Sequence, residues 1–144
     1  MTNGAQFVAN PPAGRDAIDQ VQTALKFPLP ESYVKFLLTA NGGEGFIGDS
    51  YVILWRVEEL ISANAAYNVA EFAPGLFLFG SNGGGEAFGF NTCSDAESIV
   101  SIPFVPMDKS DARPAGSNFE AFLEGLSSTT QGSRPKADSL VGQS

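Results

Sequence analysis

Apolar residues recur at helical spacing in three stretches of this chain and crowd into strand-length runs between them. Asp16 to Lys26 puts Ile18, Val21 and Leu25 on one side, which predicts a short helix. The second stretch, Leu29 to Gly43, is a complete helix instruction. Pro30 suits a first helical position, because its missing N–H is not needed there and its φ is already helical. Tyr33, Phe36, Leu37 and Ala40 follow at i, i+3, i+4 and i+7, one buried face, and Asn41-Gly42 then predicts a stop. The third is Ser117-Asn118-Phe119-Glu120, which has the form of a capping box. Phe119, Phe122, Leu123 and Leu126 supply the stripe of that last helix.

Between the second and third helices the pattern changes period. Gly42 to Ser50 reads as a glycine-rich turn region around Phe46-Ile47, and Tyr51 to Trp55 as a strand. Arg56 begins a further helix, expected to reach the Tyr67 to Phe72 region before Pro74-Gly75 closes it. Leu76 to Gly80 and Glu86 to Asn91 read as a hairpin around the turn Ser81-Asn82-Gly83-Gly84-Gly85. Ile99 to Val105 is the last long strand, and Pro103 places it at an edge or a bulge.

Residues 1–14, with Pro11-Pro12, are expected to be an irregular lead-in, residues 15–127 one domain, and the Ser/Thr/Gly/Pro-rich 128–144 a flexible tail. Helices at both ends of a run of strands predict a single α+β domain with a largely antiparallel mixed sheet.

Composition narrows the chemistry. With 144 residues, 43 % of them hydrophobic, the chain can bury a core. No apolar run approaches the ~20 residues that span a bilayer. No secretory signal is expected from Met1 to Phe7, and Cys93, the one cysteine, excludes an internal disulfide, so a cytoplasmic setting is expected. The absence of histidine removes the commonest general base and the usual metal ligand, so no catalytic residue, cofactor or metal is expected. Cys93 has no histidine to lower its pKa and reads as incidental.

The net charge is −8, and Glu31 to Glu124 carries 13 acids against Lys35, Arg56, Lys109 and Arg113, a net −9. Such a surface repels a phosphate backbone, which argues against direct nucleic-acid binding, and attracts a basic protein. Acidity for solubility alone is the plainer reading of charge by itself.

The order of these pieces resembles the SUKH superfamily, bacterial immunity proteins related to a fungal cell-wall-synthesis regulator. The resemblance is carried by Leu29 to Leu37 with Asn41-Gly42-Gly43, then Trp55 with Val57-Glu58-Glu59-Leu60, then Phe79-Gly80 through Gly84 to Phe90. Val100 to Phe104 and Asn118 to Leu123 complete it. Its structural motif residues are Pro30, Tyr33, Phe36, Leu37, Gly42, Gly43, Trp55, Gly80, Gly84, Phe119, Phe122 and Leu123. The resemblance implies an α+β immunity-type protein that binds a polymorphic toxin, often a nuclease, and blocks it in the cytoplasm. It equally leaves room for a regulatory scaffold that binds an endogenous partner.

Candidate sites divide between chemistry and plain structure. Gly83-Gly84-Gly85 lacks the lysine and Ser/Thr of a phosphate loop and reads as a hairpin turn, and the family resemblance implies that Gly84 and Glu86 lie near a groove. Trp55 reads as a core or half-buried residue. Glu58 and Glu59 point about 100° apart on a helix and favour the positive end of its dipole, so they do not form a catalytic pair. Glu44, Asp49, Glu86, Asp95, Glu97, Asp108 and Asp111 fall in turns or at strand ends, where they either scatter as solvated charge or gather on one rim. Gathered, they would present an acidic surface to a basic toxin domain by charge mimicry. A carboxylate enzyme is the weakest alternative, since it needs two converging acids in a deep cleft. The pattern leaves the oligomeric state open between a monomer and a weak dimer.

Overall fold

A computed structural model describes residues 6–25, 28–92 and 97–128, and the expected tail beyond Ser128 lies outside the described residues, as do Lys26 and Cys93. The fold is α+β, as the order of apolar runs predicts. One antiparallel sheet of seven strands follows chain order, β1 (Val8–Ala9), β2 (Gly43–Ile47), β3 (Ser50–Leu54), β4 (Leu76–Ser81), β5 (Glu86–Asn91), β6 (Ile99–Pro103) and β7 (Arg113–Gly116). Its helices are α1 (Arg15–Ala24), α2 (Glu31–Leu37), α3 (Leu60–Ala66), α4 (Val69–Phe72) and α5 (Phe119–Ser128).

The main core lies on one face of the sheet. Val52 and Leu54 of β3, Phe77 and Phe79 of β4, Phe88 and Phe90 of β5 and Ile99 of β6 point to it, in the alternation a strand imposes. Ile18 and Val21 of α1, Tyr33 and Leu37 of α2, and Phe119 and Phe122 of α5 close over them. At its centre Tyr33, Phe79, Phe90 and Phe119 form a ring cluster with centroids 4.8–5.6 Å apart, and Phe122 stands edge-on to Phe79 at 5.4 Å. These offset and edge contacts add to what area burial alone contributes. A shift in register between Leu78 and Gly80 sets Phe79 and Gly80 both toward this face, opposite Phe88.

Several boundaries differ from the sequence pattern, each for a physical reason. Gly42–Ser50 is not a turn region: Gly43–Ile47 is strand β2, and only Gly48-Asp49 makes the turn. Its glycines serve close approach. A Cβ at Gly43 would lie 2.5 Å from the Val8 carbonyl oxygen, and one at Gly45 would lie 2.6 Å from Phe7 Cα. The expected irregular lead-in accordingly contributes β1, and the Phe7 N–H also donates to the Phe46 carbonyl at 3.0 Å.

Pro30 stands at the cap before α2 rather than inside it, and α2 ends at Leu37, ahead of Asn41-Gly42. Gly42 does adopt the left-handed φ of +78°. Pro103 marks neither an edge nor a bulge. It ends β6, which is paired on both sides, with the register shift at Ile99/Val100. At α5 the cap is Asn118, whose Oδ1 accepts from the Ala121 N–H at 2.8 Å, and Ser117 is exposed.

Helix α3 solves a different problem. β3 pairs with β4 only at Ile53↔Ser81 and Leu54↔Gly80, which leaves the start of β4 without a strand on that side. Asn64 replaces it: its Oδ1 accepts from the Leu78 N–H at 2.8 Å and its Nδ2 donates to the Leu78 carbonyl at 2.9 Å. The residue after α3 that breaks the expected long helix is Asn68, at φ +54°.

The Tyr33 hydroxyl is buried within the ring cluster with no hydrogen-bond partner among the described residues, and that burial holds its pKa far above the ordinary tyrosine range. Replacing it should therefore cost nothing. Tyr33→Phe is expected to leave stability unchanged or raise it by about 1 kcal/mol, whereas Phe79→Ala should lose roughly 3–5 kcal/mol. Urea denaturation of both variants beside the parent checks the contrast.

Candidate partner-binding surface

The second face of the sheet is covered over only part of its width. Leu76 and Leu78 of β4, Ala87 of β5 and Val100 and Ile102 of β6 pack there under Val69 and Ala73 from α4 and its end, and under Met107. Met107 belongs to the connection between β6 and β7, which folds back across the sheet with Phe104 and Ala112 against the same cluster. Over β1, β2 and β3 no described helix packs on this side. Val8 is 70 % exposed and Phe46 38 %, while Tyr51 and Ile53 are half-buried.

Strand periodicity explains why these side chains meet. Tyr51, Ile53 and Trp55 are two apart and share the face, and the register sets Phe46 opposite Tyr51 and Glu44 opposite Ile53. The Phe46 and Tyr51 rings meet edge-on at 5.1 Å. The Tyr51 hydroxyl donates to the Glu44 carboxylate, and that bond raises the Tyr51 pKa. From Trp55 the aromatic surface continues. Its ring stacks on Tyr67 at 6.2 Å and 13°, and Tyr67 meets Phe104 at 4.5 Å. Tyr67 is 44 % exposed and Val105, next to Phe104, 87 %.

The Gly83–Gly85 turn borders the same surface. Gly83 lies against it at φ +75°, where a Cβ would come 3.0 Å from the Tyr51 ring, and the Gly85 carbonyl accepts from the Phe104 N–H at 2.9 Å. The turn is the expected hairpin.

The bend that presents Trp55 is held by Asn41. This buried side chain accepts from the Val57 N–H through Oδ1 at 2.8 Å and donates through Nδ2 to Glu58 Oε1 at 2.8 Å. Its backbone carbonyl accepts from Asn10 Nδ2 at 3.0 Å, and its N–H donates to the Pro11 carbonyl at 3.0 Å. Glu58 is thus engaged by the Asn41 amide. The Asn41 hydrogen bond, more than any nearby charge, holds its carboxyl below the ordinary range. Glu59 Oε1 accepts from the Arg56 N–H at 3.0 Å, the capping role expected for an acid in a first turn.

The seven acidic candidates are not all brought together. Glu44 stands on β2 at the open face, opposite Ile53, and Asp49 in the β2–β3 turn, whereas Glu86 opens β5 and alternates with Phe88 and Phe90, on the side of the closed core. Glu97 lies in the β5–β6 connection, at the other end of β5 from Glu86. Asp108 and Asp111 sit in the connection that crosses the covered half, and Asp95 lies outside the described residues. Asp108 is turned inward on its own loop: its Oδ1 accepts from the Ser110 N–H at 2.9 Å and Oγ at 2.8 Å, which holds its carboxyl low.

Trp55 is half-buried, as expected, but Phe46, Tyr67, Phe104 and Val8 escape the sequence reading. The signal available was the i, i+2 alternation through Glu44-Gly45-Phe46 and Tyr51-Val52-Ile53.

Two grooves elsewhere hold no carboxylate. One of about 640 Å³ is lined by Asn91, Lys109 and Ser117 among others. Another of about 490 Å³ lies between Ile61, Val69 and Phe77. Among the described residues no group of three or more Cys, Asp or Glu is placed to share a metal ion, and no helix is long and apolar enough to cross a membrane.

A family model described as SMI1 / KNR4 family (SUKH-1) matches residues 12–125, from just after β1 into α5. The chain belongs to that family. Members of SUKH-1 are generally non-enzymatic proteins that bind protein partners, and they are commonly immunity proteins. The match takes in every structural motif residue named above, from Pro30 to Leu123. No curated protein matches this sequence.

Because the folded carboxyl of Glu58 titrates below its ordinary value of 4.5, its contribution to stability is complete above that pH and is lost as pH falls through the lower folded value. Glu58→Gln should therefore lower the melting temperature by a constant amount near neutrality, and the difference should shrink in acid. Thermal unfolding of both proteins across that pH range checks this.

Proposed function

We propose that this SUKH-1 protein is a stoichiometric, non-enzymatic inhibitor: a cytoplasmic immunity protein that binds a cognate polymorphic toxin domain and blocks it through an acidic surface. The observation that carries this reading is the family match across nearly the whole described fold, on a chain with a net charge of −8. The open, aromatic sheet face that carries Glu44 supports it, because a face of this kind gains by being covered. Acids on and around it raise the association rate with a basic toxin and orient it, while a few desolvated contacts supply most of the affinity. Asp49, Glu86, Glu97, Asp108 and Asp111 extend the same negative field beyond that face. The protein supplies no chemistry to the toxin and removes it from its substrate by occupancy.

The test is to purify the tagged protein from its native cell, identify the bound partner, and express that partner alone and with this chain. A toxin domain held one to one, and lethal only without this chain, supports inhibition. An abundant endogenous partner with no toxic activity would replace inhibition by a regulatory scaffold role.

Within the inhibitor reading, Glu44→Lys, Asp49→Lys and Glu86→Lys together should weaken partner binding by at least about tenfold with little change in melting temperature. Calorimetric titration of the purified pair measures it, and unchanged affinity would remove charge mimicry from the account.

A further inference from the structure

We infer that the open half of the sheet face, from Phe46 and Tyr51 across Ile53 to the Trp55–Tyr67–Phe104 rings, is the docking surface for a basic segment of the partner. Arginine or lysine side chains of that segment lie across the rings, between Glu44 and the Gly83–Gly85 turn. This deepens the binding-protein reading above and rests on it.

The shape and chemistry of the face select that occupant. Phe46, Tyr67 and Val105 are exposed and Tyr51, Ile53, Trp55 and Phe104 are half-buried beside them, and among the described residues no helix covers this apolar surface. Its charge is one-sided. Glu44 is the charged side chain that the β2–β3 ladder sets on this face, and the span from Glu31 to Glu124 around it carries a net −9. Arg56 is set toward Glu58, whose carboxyl its charge helps to hold low. A second copy of this chain would bring like charge onto like charge. A neutral apolar segment would cover Glu44 without a partner for its remaining acceptor capacity, since one carboxylate has room for more than the Tyr51 hydroxyl.

Guanidinium and ammonium groups meet both demands. They are attracted to the faces of Trp and Tyr rings and they pair with carboxylates. The geometry of the glycine turn adds to this. Gly83, Gly84 and Gly85 are exposed and carry no side chain to stand over Tyr51, so backbone alone forms that border.

The test uses a nona-arginine peptide as probe, titrated into the full-length, isotope-labelled protein and followed by amide chemical shifts and by the fluorescence of Trp55. The expected result is saturable binding with shifts concentrated at Glu44, Phe46, Tyr51, Trp55, Tyr67 and Gly83 to Gly85. Glu44→Gln combined with Tyr67→Ser should weaken it at least about fivefold, and Asp19→Asn, a control that removes the same charge from the exposed side of α1, should change it little. Shifts spread over the remote acids, equal weakening by the control, or no saturable binding would overturn the inference.

Failure of the broader reading is separately visible. If the native partner binds the Glu44→Gln/Tyr67→Ser protein as tightly as the parent, this surface is wrong and the binding reading stands. If the parent protein binds no partner at all, the reading itself falls.

Discussion

A seven-stranded sheet has two faces to cover, and the described residues close only one of them completely. The closed side is held by the ring cluster of Tyr33, Phe79, Phe90, Phe119 and Phe122, which brings α2, β4, β5 and α5 to one point. Because α2 and α5 come from opposite ends of the domain, that cluster ties the ends together, and the Ser32 hydroxyl, accepting from the Phe119 N–H at 3.3 Å, links the two helices directly. Everything placed on the other face depends on this. With α1, α2 and α5 committed to the first side, only the short α3 and α4 and the β6–β7 connection remain for the second.

Those remaining elements protect the centre of the sheet and stop short of its first strands. Asn64 completes the backbone pairing of β4 where β3 ends, and Met107 and Val69 cover β4 to β6. The uncovered part is dressed in aromatic rings held by their neighbours: Tyr51 by Glu44 and Phe46, Trp55 by Tyr67, Tyr67 by Phe104. Asn41 fixes the backbone between β3 and α3 from below. The uncovered half is thus a partly apolar, aromatic face that carries Glu44. That agrees with membership of a family of binding proteins and with an inhibitory role.

Much of this fold is legible in the sequence because helix and strand periods are strong where a core is made. Tyr33, Phe36 and Leu37 at helical spacing, the hairpin around Gly83–Gly85 and the stripe of Phe119 and Phe122 all appear in the structure where the pattern puts them. Glycine hides one strand: read as punctuation it predicts a turn around Phe46, but in β2 it marks a strand that another segment approaches too closely for a Cβ. Edge strands such as Val8–Ala9 and Arg113–Gly116 are too short to carry a period. Tyr67 and Phe104 are distant in sequence, and only the folded chain stacks them into one surface with Trp55.

The acidic residues show the same limit from another side. Sequence placed seven of them in turns, but turn membership does not say which end of a strand a turn occupies. The ladder does: Glu44 stands on the open face opposite Ile53, while Glu86 alternates with Phe88 toward the closed side, Glu97 lies at the far end of β5 and Asp108 is engaged by its own Ser110. The central claim is that a partner takes the half of the sheet that the chain leaves uncovered. Hydroxyl-radical footprinting of the protein, free and bound to its purified partner, tests it most directly. The account predicts that Phe46, Tyr51, Tyr67 and Val105 oxidise readily in the free protein and become protected in the complex, with Tyr33, Phe79 and Phe90 unreactive in both. Protection confined to α1, β7 or the 640 Å³ groove by Lys109 would contradict it.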